Sequence, residues 1–276
     1  MNLAKAVERA KKEREKIKPS GQKKTGQSQP AHGDPKAADW SPPVYDESKL
    51  INFDMEKATD NKCVSLFPDA VENDFYKVLR ARVQQLTSAN NWKTIMVTSA
   101  CPGDGKTLTS INLAVSMAKE LNQTVLLVDN DLKRQGICKY LGIASDLGLA
   151  DYFERDISLK DLIVWPGIDK LTIISGKRTI TESAELLGSR KMKELVGEMT
   201  ARYDDRYIIF DMPPVLGSAD VISFAPMVDS ILMVVQEGKT SIQDVKKAVD
   251  LIPKEKFLGF VLNRQKTIGS GYNISY

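Results

Sequence analysis

The octapeptide at residues 100–107, Ala-Cys-Pro-Gly-Asp-Gly-Lys-Thr, restricts the fold of this 276-residue chain more than any other stretch. It follows an apolar run at residues 94–98 and opens a segment of helical periodicity at residues 106–121. Its two glycines lack Cβ atoms, so successive backbone N–H groups can curl around phosphate oxygens, and the helix that follows adds its positive N-terminal end. This strand–loop–helix context predicts a phosphate-binding loop, with alanine in place of the usual first glycine.

The side chains at the end of the loop extend this prediction to a nucleotide and a metal ion. The Lys106 ammonium is predicted to reach the β- and γ-phosphates, and the Thr107 hydroxyl to coordinate magnesium. A second Gly-Lys-Thr, at residues 238–240, also follows an apolar run, but no glycine turn precedes it. We interpret that copy as a strand-to-helix connection in which Thr240 caps the helix. The predicted nucleotide-binding residues of the first loop are Pro102, Gly103, Asp104, Gly105, Lys106, Thr107 and Leu108.

Apolar runs and helical segments alternate along the rest of the chain. Short apolar strands separated by helices predict an α/β fold, a P-loop NTPase with a mostly parallel sheet and helices on both faces. In such sheets ligands bind beyond the carboxyl ends of the strands. The predicted strands cover residues 94–98, 124–129, 171–174, 207–211, 230–235 and 257–262, and the predicted helices begin near residue 74 or cover residues 106–121, 190–203 and 241–251.

Carboxylates follow two of these strands. Asp129 and Asp131 come at the end of one apolar run, and Asp211 at the end of another. Asp favours turns, which explains one such cluster better than two at the same edge of a sheet. A magnesium ion with a triphosphate needs oxygen ligands and a group that orients or deprotonates the nucleophile. Asp211 is therefore predicted to be a metal ligand, directly or through water, whereas Asp129 and Asp131 are both candidates for metal ligand and for general base.

Composition and charge exclude several other classes of protein. The three cysteines have neither pairing nor metal spacing, which favours a reduced, cytoplasmic protein. The longest apolar runs fall far short of the ~18 residues that span a bilayer, and no secretion signal is expected. Residues 1–37 contain ten Lys/Arg and four Asp/Glu, which leaves a net charge of −3 for residues 38–276 and argues against nucleic-acid binding by the body.

Five motifs occur in the order found in the cytoplasmic bacterial tyrosine autokinases (BY-kinases) of exopolysaccharide loci, a family related to the Min/Par partitioning ATPases. The chain resembles this family over about residues 70–276. The motifs that carry the resemblance are the loop at residues 102–107, a second Walker element at 129–134, a segment at 184–187, a Walker B element at 211–214, and residues 261–263.

The resemblance assigns roles to residues outside the loop. It implies that Asn263 contacts the adenine base. It also implies a ring-type homo-oligomer whose subunits pack through a motif in which Asp74, Lys77 and Arg80 hold the family's spacing. Two departures weaken the ring prediction: Lys133 stands where the family has Arg, and the subunit motif has Asp and Lys in place of Glu and Arg, which loses the planar fork of one guanidinium.

The C-terminal segment carries Tyr272 and Tyr276 after a Gly-Ser-Gly turn. The thirteen residues after Asn263 span at most about 45 Å when extended, enough to reach the site of a neighbouring subunit, and a folded-back route in cis is also open. The residues alone fit a frayed end and a presented substrate equally well. The resemblance implies that both tyrosines are autophosphorylated in trans, although the family's tyrosine cluster is here reduced to two.

The resemblance implies an ATP- and magnesium-dependent protein-tyrosine autokinase that regulates exopolysaccharide synthesis or export. Its expected partners are a second copy of itself, a separate membrane chain-length regulator that activates it at the inner face of the membrane, and a cognate tyrosine phosphatase. Two alternatives stay open: a Min/Par-like ATPase switch, disfavoured because that class has lysine where this chain has Cys101, and a nucleotide-sensing scaffold with negligible turnover.

These observations divide the chain into four segments. We expect a basic arm and flexible linker at residues 1–43, read either as a solvated tail or as a docking arm for the membrane regulator. An extended lead-in is expected at residues 44–73, the P-loop kinase domain at 74–263, and a flexible tyrosine tail at 264–276.

Overall fold

The computed structural model describes residues 49–265, which form an eight-stranded sheet with helices on both faces. The strands are β1 (Lys49–Leu50), β2 (Thr94–Ser99), β3 (Thr124–Asp129), β4 (Ile163–Trp165), β5 (Leu171–Ile174), β6 (Arg206–Asp211), β7 (Ser230–Gln236) and β8 (Phe257–Asn263). The helices are α1 (Met55–Asp60), α2 (Asn73–Ala89), α3 (Lys106–Ala118), α4 (Ile137–Leu141), α5 (Leu149–Arg155), α6 (Leu159–Leu162), α7 (Ser183–Leu187), α8 (Arg190–Ala201), α9 (Asp220–Phe224) and α10 (Ile242–Asp250). Short 3₁₀ turns lie at Val64–Leu66, Val215–Gly217, Ala225–Met227 and Lys254–Lys256.

The strand order is β1-β4-β5-β3-β6-β2-β7-β8. Within residues 49–265, neighbouring strands run parallel except for β4 and β5, which are antiparallel. Every residue of β2, β3 and β6 is buried, as expected for parallel strands covered on both faces. The predicted fold class is confirmed.

Alternate residues of the central strands enter two hydrophobic cores, one on each face of the sheet. Met96 and Leu126 belong to the core that contains α8, whereas their neighbours Ile95 and Leu127 belong to the core that contains α3. Each such side chain contributes roughly 1.5–3 kcal/mol through burial. The core under α3 matters for function because it fixes the helix that begins at the phosphate-binding loop.

The lead-in before α2 differs from the extended segment that we expected. Its described part contains β1, helix α1 and a 3₁₀ turn. The Asp54 carboxylate caps α1 by accepting the Lys57 N–H at 3.1 Å, and the Asp54 N–H donates to the Leu141 carbonyl at 2.8 Å. The segment is thus tied to α4, a contact that composition does not reveal. Residues 1–48 and 266–276, which include the predicted arm, linker and most of the tail, lie outside the described residues.

No helix in the described part of the chain is long and apolar enough to cross a membrane.

Candidate nucleotide-binding site

The sheet brings the loop and the strand-end carboxylates to one edge. β6 lies between β2 and β3, and all three strands run parallel. Asp129 at the end of β3 lies directly opposite Asp211 at the end of β6. The phosphate-binding loop leaves β2 at the same edge, because Val97 of β2 pairs with Asp211. The convergence predicted from the sequence is therefore present.

The two glycines of the loop have backbone conformations that other residues rarely adopt. Gly103 has φ of 88° and Gly105 has φ of 98°. A Cβ built on Gly105 would lie 2.0 Å from the Asn263 Nδ2 atom, so a side chain there would clash as well as strain the backbone. Helix α3 begins at the next residue, Lys106. The cradle is thus shaped both by its own glycines and by the end of β8.

Lys106 is held between two carboxylates. Its Nζ donates to Asp131 Oδ2 at 2.8 Å and lies 3.7 Å from Asp211 Oδ2. Burial alone would lower the pKa of the ammonium, but the attraction of Asp211, Asp131 and Asp129 outweighs it, and the pKa of Lys106 is raised. The lysine therefore stays charged at the mouth of the loop.

Asp211 is fully buried and accepts hydrogen bonds from two hydroxyl groups. Thr107 Oγ1 donates to Oδ2 at 2.7 Å, and Ser110 Oγ donates to Oδ1 at 3.0 Å. Burial raises the pKa of Asp211, against the lowering effects of Lys106 and of both hydroxyl groups. The Thr107–Asp211 pair is the arrangement expected of two magnesium ligands. Ser110 was missed from the sequence, although its position one helical turn after Lys106 places it on the same side of α3.

Asp129 is the least satisfied of the three carboxylates. Its Oδ2 accepts the Ile137 N–H at 3.1 Å, whereas Oδ1 is buried without a hydrogen-bond partner. Burial and the nearby charge of Asp211 raise its pKa from 3.8 to about 8. Asp131, by contrast, is occupied by Lys106 and by the Arg134 N–H, which donates to Oδ1 at 3.1 Å.

Asp104 joins the loop to the two turns beside it. Its buried carboxylate accepts the Cys101 N–H at 3.0 Å and the Thr240 hydroxyl at 2.7 Å, and its carbonyl accepts the Asn263 amide at 2.8 Å. The interpretation of Thr240 as a helix cap is wrong: Ser241 caps α10, accepting the Asp244 N–H at 3.0 Å. Asn263 lies beside the loop through this contact, and its predicted contact with the adenine base stays a prediction.

Lys133, which stands where the related family has arginine, makes polar contacts within the chain. Its Nζ lies 3.2 Å from Asp220 Oδ1 and 3.2 Å from the Ser218 hydroxyl. Asp220 is fully buried and also accepts the Ser183 hydroxyl at 2.7 Å. Lys133 therefore links the residues after β3 to α9.

The three residues of the predicted subunit motif lie on α2 and make contacts within the chain. Lys77 forms an ion pair with Asp74 at 2.6 Å. The Arg80 guanidinium forms an ion pair with Glu120 at 2.5 Å and donates to the Ser116 carbonyl at 3.0 Å. Their role between subunits stays a prediction. Tyr272 and Tyr276 lie outside the described residues.

The donor set fits a magnesium ion bound together with phosphates. Among residues 49–265, no group of three or more His, Cys, Asp or Glu side chains is arranged to hold a metal by itself. Magnesium is usually held by one or two carboxylates together with water and substrate phosphates. The Thr107 hydroxyl, the Asp211 carboxylate and the unpartnered Asp129 oxygen supply donors of that kind.

Comparison with known proteins agrees with this geometry. Residues 92–257 match the model of a family described as "AAA domain". Tyrosine-protein kinase YwqD of Bacillus subtilis strain 168 is 31% identical over 201 residues, which cover 72% of this chain and 84% of that protein. The crystal structure of the VpsO kinase domain is 30% identical with a TM-score of 0.63, covering 71% of this chain and 97% of that one. MinD of Pyrococcus horikoshii OT3, solved with Mg-ADP, is 25% identical with a TM-score of 0.55, covering 63% and 71%.

Fold, loop and family match together define a P-loop nucleotide-binding protein with an AAA domain. Within that class the chain belongs to the bacterial tyrosine-protein kinases, since it shares 31% identity with one of them over most of both sequences. The family resemblance inferred from the motifs is confirmed.

Proposed function

We propose that this chain is an ATP-dependent tyrosine autokinase that phosphorylates Tyr272 and Tyr276 of its own C-terminal segment. The observation that carries the proposal is the meeting of Lys106 and Thr107 with Asp211 and Asp129 at one edge of the sheet. A bound nucleoside triphosphate would place its transferring phosphoryl group beside a cation, a metal-binding hydroxyl group and a free carboxylate oxygen. These are the parts that phosphoryl transfer requires.

Each residue of the site has a distinct task. The N–H groups of the loop and the Lys106 ammonium stabilise the negative charge on the transferring phosphoryl group. Thr107 and Asp211 would hold magnesium. Asp129 would be a third ligand in the alternative in which it is not the general base. When bound, magnesium neutralises charge on the β- and γ-phosphates. Asn263 supports the loop through the Asp104 carbonyl, and we propose that it also contacts the adenine base.

Asp129 is the better candidate for the general base. Tyrosine has a reference pKa near 10, so its phenol needs a proton acceptor at neutral pH. Both oxygens of Asp131 are engaged, by Lys106 and by a backbone N–H, whereas Asp129 has an oxygen without a partner. In the reaction the phenol proton passes to Asp129 in its ionised form, the tyrosine oxygen bonds to the γ-phosphorus, and the bond to the bridging oxygen breaks to release ADP.

The wider role follows from the family. We propose that the chain forms a ring in which α2 contacts a neighbouring subunit and each tail reaches a neighbour's site. We further propose that it regulates exopolysaccharide synthesis or export from the cytoplasm, activated by a separate membrane chain-length regulator and reset by a tyrosine phosphatase. The basic segment at residues 1–43 would help to dock that regulator, and a pull-down in which its deletion leaves binding unchanged would remove this part.

Labelled ATP tests the proposal. We expect wild-type protein with magnesium to become labelled on tyrosine, and the double variant Tyr272→Phe, Tyr276→Phe to lose the label. Mixing that variant with Lys106→Met, which keeps the tail but lacks the ammonium, should label only the Lys106→Met chain if transfer occurs in trans. Label that survives in the double variant removes the tail from the mechanism. Phosphate release without any protein label would instead indicate an ATPase switch.

A further inference from the structure

The second Gly-Lys-Thr tripeptide, at residues 238–240, lies against the phosphate-binding loop. β7 runs parallel to β2, with Val234 opposite Ser99, so the turn after β7 emerges beside the loop after β2. The Thr240 hydroxyl donates to Asp104 inside the loop at 2.7 Å and accepts the Gln236 N–H at 3.3 Å. The two copies of the tripeptide thus form adjacent turns of one site, although they are far apart in sequence.

This contact places the Lys239 ammonium over the loop. A Cβ built on Gly103 would lie 3.4 Å from Lys239 Nζ, which puts the ammonium in contact range of the turn. Its charge also acts on a residue of the loop. Burial, Asp104 and Asp244 raise the pKa of Cys101, whereas the Lys239 ammonium lowers it. Lys239 is exposed, and no carboxylate in the described part of the chain forms an ion pair with it.

The charges of the site indicate that this ammonium binds phosphate. Lys106 already forms ion pairs with Asp131 and Asp211. A nucleotide in the loop adds several negative phosphate oxygens next to these carboxylates, and ammonium groups bind such oxygens through charge-assisted hydrogen bonds. Asp104 does not compete for Lys239, because its carboxylate is held by the Cys101 N–H and by Thr240.

We infer that Lys239 is a second nucleotide-binding lysine, whose ammonium pairs with phosphate oxygens of the nucleotide in the loop. The inference rests on the proposed function and adds a residue to its site. Asp104 and Thr240 act as the positioning pair, since their hydrogen bond holds the turn that carries Lys239 against the loop. The affinity for nucleotide then depends on two turns that the fold brings together.

The test compares three variants by calorimetric titration with ADP and magnesium, and by competition with adenosine, which has no phosphate. Lys239→Gln removes the charge, Lys239→Arg keeps it, and Lys246→Gln removes one from an exposed position on α10. We expect Lys239→Gln to weaken ADP binding about tenfold, as for hydrogen bonds to charged groups, with adenosine binding unchanged. Lys239→Arg and Lys246→Gln should bind ADP like the wild type.

Three results would overturn the inference. Equal ADP affinity of Lys239→Gln and wild type would show that the ammonium does not contact phosphate. An equal loss for ADP and adenosine would show that the substitution disturbs the turn and not a charge contact. A wild-type chain that binds no ADP would refute the proposed function and this inference together, whereas the first two results leave the proposed function standing.

Discussion

Replacing Asp129 by Asn removes a carboxyl group that the folded chain keeps protonated over an unusual range of pH. Burial and the neighbouring Asp211 raise the pKa of Asp129 from 3.8 to about 8. Below about pH 4 the folded and unfolded chains both hold this proton, and above about pH 8 neither does. Between these limits only the folded chain holds it. The free energy of unfolding of the wild type therefore falls as pH rises, by up to about 1.4 kcal/mol for each pH unit.

The Asn variant has no such proton to lose. Its stability relative to wild type should grow with pH, by up to about 4 kcal/mol between pH 5 and pH 8. Urea unfolding of the ligand-free chains at pH 5, 6, 7 and 8 measures this difference. Asp169→Asn, which removes an exposed carboxylate remote from the site, controls for the general loss of a negative charge. Parallel curves of unfolding free energy against pH for Asp129→Asn and wild type would refute the reasoning.

The same variant also separates stability from catalysis. Asn cannot accept the phenol proton, so Asp129→Asn should fail to label its tail with ATP even at pH 8, where its stability relative to wild type is greatest. Gains in stability from removing a buried active-site charge commonly accompany a loss of activity. Full labelling by Asp129→Asn would assign the base to Asp131.

Further predictions concern the loop and its supports. Gly105→Ala should weaken ADP binding in a titration, because its Cβ would strain the backbone at φ of 98° and displace the Asn263 side chain that supports the loop. Gly197→Ala lies in an exposed position of α8, where the added Cβ would have no heavy atom within 4 Å, and should stabilise the chain by about 0.5–1 kcal/mol. Lys106→Met should lower the free energy of unfolding by about 3–5 kcal/mol in urea, since it leaves two buried carboxylates without their cation; an unchanged midpoint contradicts this. Asp220→Ala should lower the free energy of unfolding by about 2–3 kcal/mol in the same assay, because Lys133 and the buried Ser183 hydroxyl lose their acceptor. A decrease smaller than the error of the method would show that this ion pair does not stabilise the fold.

Much of the site was predictable because it rests on local sequence and one rule of topology. The runs before Asp129 and Asp211 consist of apolar residues of strand length, and each ends at its carboxylate as predicted. Parallel strands present their carboxyl ends at a single edge, so no knowledge of the strand order was needed to bring the loop and the aspartates together. Local pattern together with parallel pairing fixes this part of the fold.

The remaining features depend on contacts between distant residues. Strands β1 and β4 have two and three residues, which is too short to show any periodicity. They form because β4 pairs with β1 on one side and with β5 on the other. On α2 the spacing of Phe75, Leu79, Val83 and Leu86 predicts one buried face. Of these four residues Val83 is buried, Leu79 is partly buried against the core, and Phe75 and Leu86 are about half exposed. The neighbouring helices and strands therefore determine which apolar residues are buried.

Protonation of Asp129 has a last consequence for nucleotide binding. In the ligand-free chain the proton offsets part of the repulsion among three buried carboxylates that face a single ammonium. A cation bound with the nucleotide favours the ionised carboxylate, so binding of ADP with magnesium near pH 7 should release up to about one proton from Asp129. Affinity should therefore rise with pH between about 6 and 8.

Calorimetry in two buffers of different ionisation enthalpy measures this release directly. At pH 7 the apparent binding enthalpy of wild type should differ between the buffers, whereas Asp129→Asn should show the same enthalpy in both. ADP without magnesium provides the matched comparison, and it should release less because the nucleotide alone adds negative charge beside Asp129. Proton release that persists undiminished in Asp129→Asn would mean that another group carries the proton, and the charge balance of the site would have to be assigned to that group.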